Sequence, residues 1–190
     1  MFPISPKCLL QTSTTSGSSS YQSTKLNFLE IHSLATPPSP PPIIAALSLS
    51  LFIDGEIQVA ASDEHLYSST FVGAGLKLNK DNERAAIIVG GDGGVARECI
   101  SKKFNFVDWY ELDPEVVDVC SKHLGEIGKK ATEKNSVKCV WGDAFESIKS
   151  VGDDIYDHIF VDLNDDQFCI DLAAKNMDSL VRILKPKGVI

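Results

Sequence analysis

The stretch from Ala85 to Asp113, AAIIVGGDGGVARECISKKFNFVDWYELD, constrains this chain more than any other. Ala85–Val89 is a short apolar run rich in branched residues, the pattern of a buried strand. It meets Gly90-Gly91-Asp92-Gly93-Gly94 and then Val95–Ile100, which predicts a helix. Phe106–Tyr110 predicts a second strand, ending on Glu111 and Asp113. Strand, glycine turn, helix, strand and acid is the layout of a nucleotide site. Glycines let the backbone approach a ligand closely, and the acid at the second strand's end accepts hydrogen bonds from ribose hydroxyls. The strict dinucleotide spacing G-x-G-x-x-G is absent, because Val89 stands where its first glycine would fall. Glycines that merely shape a strand-to-helix turn are the plainer alternative, but such a turn does not call for five residues of this kind.

The same habit recurs downstream. Pro114 suits a helix's first turn, and Val116, Val117, Val119, Cys120, His123 and Leu124 predict its apolar face. Val137–Trp141 predicts a third strand running into Gly142-Asp143-Ala144-Phe145, and Tyr156–Val161 a fourth running into Asp162-Leu163-Asn164-Asp165-Asp166. Met177–Leu184 reads as helix, after which Pro186-Lys187-Gly188 turns into Val189-Ile190, the start of a fifth strand. Alternating β and α elements with short loops give a parallel sheet with helices on both faces, and ligands sit outside the carboxyl ends of its strands. That rule gathers Asp92, Glu111, Asp143, Asp162 and Asp165 on one rim. Carboxylates crowded into one cleft call for cations to balance them. Asp166 reads as a solvated loop acid.

Ile87–Glu98, IIVGGDGGVARE, resembles the Gly-Gly-Gly-Asp-Gly-Gly-x-x-Arg-Glu signature of the polyamine aminopropyltransferases, the spermidine and spermine synthases. Tyr110-Glu111-Leu112-Asp113 is similar to that family's Glu-Ile-Asp step, and Leu51–Val59 to its Leu-Asp-Gly-x-x-Gln hairpin. Asp63-Glu64-His65-Leu66-Tyr67 resembles its Asp-Glu-x-x-Tyr, and Tyr21-Gln22 its Tyr-Gln strand opening. The resemblance implies a Rossmann-like α/β fold of the S-adenosylmethionine-methyltransferase type, preceded by a small β hairpin layer and lacking its last strands. It implies decarboxylated S-adenosylmethionine as co-substrate, bound by Gln22, Gly91, Asp92, Gly93, Glu111, Asp143 and Ala144. Asp92 would hold the donor's amino group and repel the carboxylate of ordinary S-adenosylmethionine, a discrimination by like charge. Asp143 would meet the adenine amino group, with Ala144 standing where the family has glycine. Asp162 would be the catalytic base, while Tyr67 and Asp165 would bind a small cationic amine. A homodimer is also expected.

Departures leave the acceptor open. Ser68, Ser69 and Thr70 follow Tyr67 where the family prefers glutamine or histidine and a glutamate. Asp162-Leu163 is closer to spermine and thermospermine synthases than to the Asp-Ser-Ser-Asp-Pro of spermidine synthases. Two other readings remain: an S-adenosylmethionine-dependent N-methyltransferase of a small amine, and a non-catalytic nucleoside-binding paralogue.

The chain before Leu51 reads differently. QTSTTSGSSS at 11–20 cannot bury enough surface to offset the entropy of ordering, so 1–20 is expected to be a disordered tail. Leu26–Ile31 reads as strand. Pro37–Pro42 favours polyproline II, and Leu34–Ser50 resembles an insertion. The expected division is 1–20 tail, 21–75 hairpin region and 76–190 cofactor-binding domain. Ser62-Asp63-Glu64 reads as a helix cap with early acids.

The chain has a net charge of −8; Lys7, Lys25 and Glu30 leave residues 1–50 at +1, so residues 51–190 carry −9. An acidic domain argues against nucleic acid and suits a cationic ligand. Cys8, Cys99, Cys120, Cys139 and Cys169 have no C-x-x-C spacing, and the four histidines form no ligand pattern. These predict reduced thiols, a cytoplasmic setting and no metal. The longest apolar run, Ile43–Ile53, is too short to cross a bilayer, so no membrane partner is expected.

Overall fold

A computed structural model describes residues 9–10, 23–24, 29–33, 49–53, 56–124 and 136–190. The chain divides into two compact units, Met1–Ser62 and Asp63–Ile190.

In the first unit, β1 (Leu9–Leu10) pairs antiparallel with β2 (Ser23–Thr24). Leu9–Leu10 falls inside the stretch expected to lack order; the rest of 1–20, and the polyproline segment, lie outside the described residues. A three-stranded antiparallel sheet follows in the order β3 (Leu29–Ser33), β4 (Leu49–Ile53), β5 (Glu56–Ala60). Strand β3 starts three residues later than expected, and β4 begins two residues inside the segment read as an insertion. Ile53 pairs with Glu56, so only Asp54 and Gly55 connect β4 to β5.

The second unit is built on a five-stranded parallel sheet ordered β10-β9-β6-β7-β8. Its strands are β6 (Arg84–Val89), β7 (Phe106–Glu111), β8 (Val137–Trp141), β9 (Tyr156–Asp162) and β10 (Leu184–Val189). Its helices are α1 (Glu64–Leu78), α2 (Gly94–Ser101), α3 (Pro114–His123), α4 (Ala144–Ser147), α5 (Gln167–Lys175) and α6 (Met177–Ile183). Side chains of β6 alternate between two cores. Ala85 and Ile87 join Val72, Val95, Trp109, Val117 and Phe160, whereas Ala86 and Ile88 join Tyr110, Phe145, Ile159, Leu180 and Ile183. Burial on both faces is why this strand reads as a continuous apolar run. From β6 the chain steps to β7 and β8 on one side and then crosses to β9 on the other. The crevice at β6 and β9 is therefore the switch point where such sheets bind ligands.

Three local expectations change. The boundary lies at Ser62 rather than after residue 75, because α1 buries Val72 in the core shared with α2 and so belongs to the sheet unit. His123 does not join the apolar face of α3; it is exposed in the last turn, where a basic group suits the helix C-terminus. Pro186-Lys187-Gly188 is not a turn before a strand but an irregularity inside β10. Leu184 faces Tyr156 while Val189 faces His158, and Lys187 has φ of 71°. Proline is tolerated there because β10 is an edge.

Candidate active site

The loop after β6 is set by close approach. Gly90 has φ of 69°, and a Cβ there would lie 2.7 Å from Asp162 Oδ2. Its N–H donates to the Asp162 carbonyl at 3.1 Å, tying the end of β6 to the end of β9. Only glycine satisfies both the dihedral and the space. Gly93 is the left-handed N-cap of α2, and the Gly94 N–H donates to Asp92 Oδ1. A carboxylate on backbone N–H groups beside a helix N-terminus is ordinarily stabilised in its charged form. Burial wins here: it pushes Asp92 up to about 7, with the charge of Asp162 adding to it, against the Gly94 N–H and Arg97.

Glu111 ends β7 and is 4% exposed. Its Oε1 accepts from the Asp113 N–H at 3.0 Å. Its Oε2 is buried without a partner, facing Gly91, where a Cβ would sit 3.0 Å away. An orphaned buried acceptor is costly, and a ligand hydroxyl is the kind of group that would satisfy it. Burial pushes this carboxyl up to about 7, opposed by the Asp113 and Leu112 N–H groups.

Asp162 ends β9, two strands from Glu111 across β6. The Tyr67 hydroxyl, on α1, donates to its Oδ1 at 2.6 Å. Burial raises the Asp162 pKa and the Tyr67 hydrogen bond lowers it. Tyr67 is 54% exposed, so the pair faces open space. Asp165 is exposed in the loop after β9, and Asp166 caps α5 by accepting from the Cys169 N–H at 2.9 Å. Asp143 caps α4, its Oδ1 accepting from Phe145 N (2.9 Å) and Glu146 N (3.1 Å). It stands one strand over from Glu111, whose carbonyl accepts from the Gly142 N–H at 2.9 Å. The neighbouring Ala144 is buried. Gln22 lies outside the described residues.

Two participants escaped the reading of the sequence. Asp63 occupies the N-cap of α1 but makes no side-chain cap bond, and Glu64 is not a solvated first-turn acid. Glu64 is 5% exposed and accepts from both terminal nitrogens of Arg97, at 2.6 Å for Nη1 to Oε2. The signal was present in Arg97 itself, a cation one turn beyond a loop that feeds an acidic rim. Among the described residues no group of three His, Cys, Asp or Glu is placed to hold a metal ion. None of the described helices is long and apolar enough to cross a membrane. What the rim offers is buried carboxylates of raised proton affinity, an arrangement that favours cations.

Residues 64–190 match the family model of the spermine/spermidine synthase domain. The chain is 31% identical over 144 residues to a polyamine aminopropyltransferase of Prochlorococcus marinus (strain MIT 9301), covering 74% of this chain and 51% of that protein. It is 33% identical over 140 residues to one from Korarchaeum cryptofilum (strain OPF8), covering 73% of this chain and 43% of that protein. The chain thus spans about half the length of the curated relatives it matches. Its fold is similar to a crystal structure of spermidine synthase in complex with the transition state analogue AdoDATO. The TM-score is 0.70 at 17% identity, covering 86% of this chain and 58% of that one. Spermidine synthase from Thermotoga maritima is similar at a TM-score of 0.69 and 17% identity, covering 86% and 57%. The glycine loop, the acid ending β7 and the family match over the whole sheet unit agree: this chain belongs to the spermine/spermidine synthase family.

Proposed function

We propose that this chain is an aminopropyltransferase domain of polyamine biosynthesis. It would move an aminopropyl group from decarboxylated S-adenosylmethionine to a polyamine such as putrescine or spermidine. The observation that carries the reading is the set of acids at the carboxyl ends of β6, β7 and β9, Glu111 buried and Asp92 and Asp162 half-buried, with Tyr67 hydrogen-bonded to Asp162. The donor carries a sulfonium and a primary ammonium without a neighbouring carboxylate, and the acceptor arrives as an ammonium. Both are the cations such a rim wants.

In this reading Glu111 Oε2 accepts from the ribose, Asp143 with its free oxygen meets the adenine amino group, and Asp92 holds the donor's ammonium. Gly91 and Gly93 leave room for the donor beside the loop. Asp165 anchors the far end of the amine. Asp162 takes a proton from the attacking ammonium, freeing the nitrogen lone pair. That pair forms a bond to the methylene carbon beside sulfur, the carbon–sulfur bond breaks, and its electrons return to sulfur as a neutral thioether. Tyr67 holds the Asp162 carboxylate in line by donating to Oδ1, leaving Oδ2 for the proton.

Calorimetry with S-adenosylmethionine and with its decarboxylated form, followed by mass spectrometry of products with putrescine and with spermidine, tests this. Binding of the decarboxylated form with transfer to one amine is expected. Preference for S-adenosylmethionine with a methylated product would replace the reading with N-methyl transfer. Nucleoside binding without product from either would leave a binding protein.

A further inference from the structure

Helix α1 and the glycine loop meet at one buried ion pair. Glu64 opens α1 one turn before Tyr67, and Arg97 lies one turn into α2, its N–H bonded to the Gly93 carbonyl at 2.9 Å. The guanidinium spans both oxygens of Glu64, and the Ser68 hydroxyl donates to Oε1 at 2.9 Å. The Arg97 side chain is 17% exposed and that of Glu64 4%. Gly94 sits inside this knot. A Cβ there would lie 2.5 Å from Ser68 Oγ, 2.6 Å from Glu64 Oε1 and 2.9 Å from Asp92 Oδ1. Glu64 and Asp92 therefore press on the same glycine, and Arg97 is the cation that permits it. A bidentate guanidinium fixes orientation as well as distance, which a lysine cannot do.

We propose that Glu64 and Arg97 are a positioning pair. By locking the first turn of α1 to the start of α2, they hold the Tyr67 hydroxyl on Asp162, although neither touches a reacting atom. Their cost and their worth then differ from those of an ordinary buried pair. A pair that serves only stability can be replaced by a neutral hydrogen-bonding couple without loss of function; this one cannot.

The test compares Arg97→Lys, Glu64→Gln and the double variant Glu64→Gln/Arg97→Gln with the unaltered chain. Tyrosines are labelled with carbon-13 at Cζ, and Tyr67→Phe identifies the Tyr67 resonance. Asp162→Asn marks where that resonance goes when its carboxylate partner is removed. The double variant is expected to stay folded by near-ultraviolet circular dichroism. Its Tyr67 signal should shift toward the Asp162→Asn position, with Arg97→Lys, which keeps the charge, intermediate. Turnover should fall about 10- to 100-fold, the scale of a small misplacement, with donor affinity changed less than about threefold. The turnover arm rests on the aminopropyl-transfer reading and the resonance arm does not. A shifted Tyr67 signal in a chain that transfers nothing sinks that reading and keeps the pair's role. Folded variants whose Tyr67 signal and turnover match the unaltered chain overturn the proposal.

Discussion

At the scale of single residues, the acids of the rim divide by what burial does to them. Asp166 is exposed and capped onto a helix, and the Cys169 N–H holds its carboxyl below the usual carboxylate range. Asp92 is half-buried and Glu111 buried, and desolvation raises both to about 7, well above an unfolded carboxyl. A raised acid binds more protons folded than unfolded, so the empty fold loses stability as pH climbs from about 4 to 7. A cationic donor prefers the ionised forms and reverses that penalty. Its affinity should therefore rise through pH 7, weaker at pH 6 than at pH 8 by about tenfold for each carboxyl that must ionise, with proton release on binding large at pH 6 and small at pH 8. Calorimetry in buffers of different ionisation enthalpy reads both; a flat profile contradicts the assignment. Asp162 and Glu111 should separate by kinetics. Asp162→Asn keeps size but removes the proton acceptor, so turnover should drop about 10²- to 10⁴-fold with donor affinity nearly kept. Glu111→Gln should weaken donor binding by about 1–3 kcal/mol. Near-normal turnover in Asp162→Asn would make that carboxylate structural.

At the scale of elements, the junction of β6 with its loop is where local preference yields. Val89 has φ of 68°, a left-handed conformation that a β-branched residue avoids, at the position where a dinucleotide fingerprint would begin with glycine. Its carbonyl accepts from the indole N–H of the fully buried Trp109 at 2.8 Å, which helps hold it there. Strain of this kind costs on the order of 1–3 kcal/mol. In an ordinary strand, alanine is more stable than glycine. At Val89 the order should invert, with Val89→Gly melting above Val89→Ala by the equivalent of about 1 kcal/mol. Urea denaturation of the two variants decides it, and the usual order would show that the strain is illusory.

At the scale of the whole sheet unit, the two ends of the strands do different work. At the amino ends, Arg84 donates to Asp108 Oδ2 through Nε (2.9 Å) and Nη2 (2.7 Å), and the Tyr156 hydroxyl donates to the same oxygen at 2.9 Å. Tyr110 and Tyr156 share a hydroxyl contact of 2.7 Å, and Lys185 on β10 reaches Asp157 at 3.0 Å. These groups are paired, whereas at the carboxyl ends Glu111 Oε2 is a buried acceptor without a partner beside the glycine loop. Asp108→Asn should accordingly lower stability by about 1–3 kcal/mol through the lost charged hydrogen bonds. Donor affinity should stay within about twofold, measured by calorimetry well below the melting point. A large loss of affinity would mean that the two ends are coupled through the sheet.

The sequence by itself determined β6 to β9, the helices α2, α3 and α6 and the acids at the strands' carboxyl ends. Those follow from short-range physics: apolar runs for doubly buried strands, glycine where backbone and carboxylate nearly touch, and a proline opening α3. Even the family was legible, through the resemblance of IIVGGDGGVARE and YELD to its signature. Tertiary structure decided the rest. Tyr67 and Asp162 are 95 residues apart and Glu64 and Arg97 are 33 apart, so their pairing depends on how helices settle on the sheet. No local pattern distinguishes a first-turn glutamate that greets solvent from one that grips an arginine. The sequence likewise named the carboxylates but not their proton affinity, which desolvation sets and only burial in the folded rim supplies.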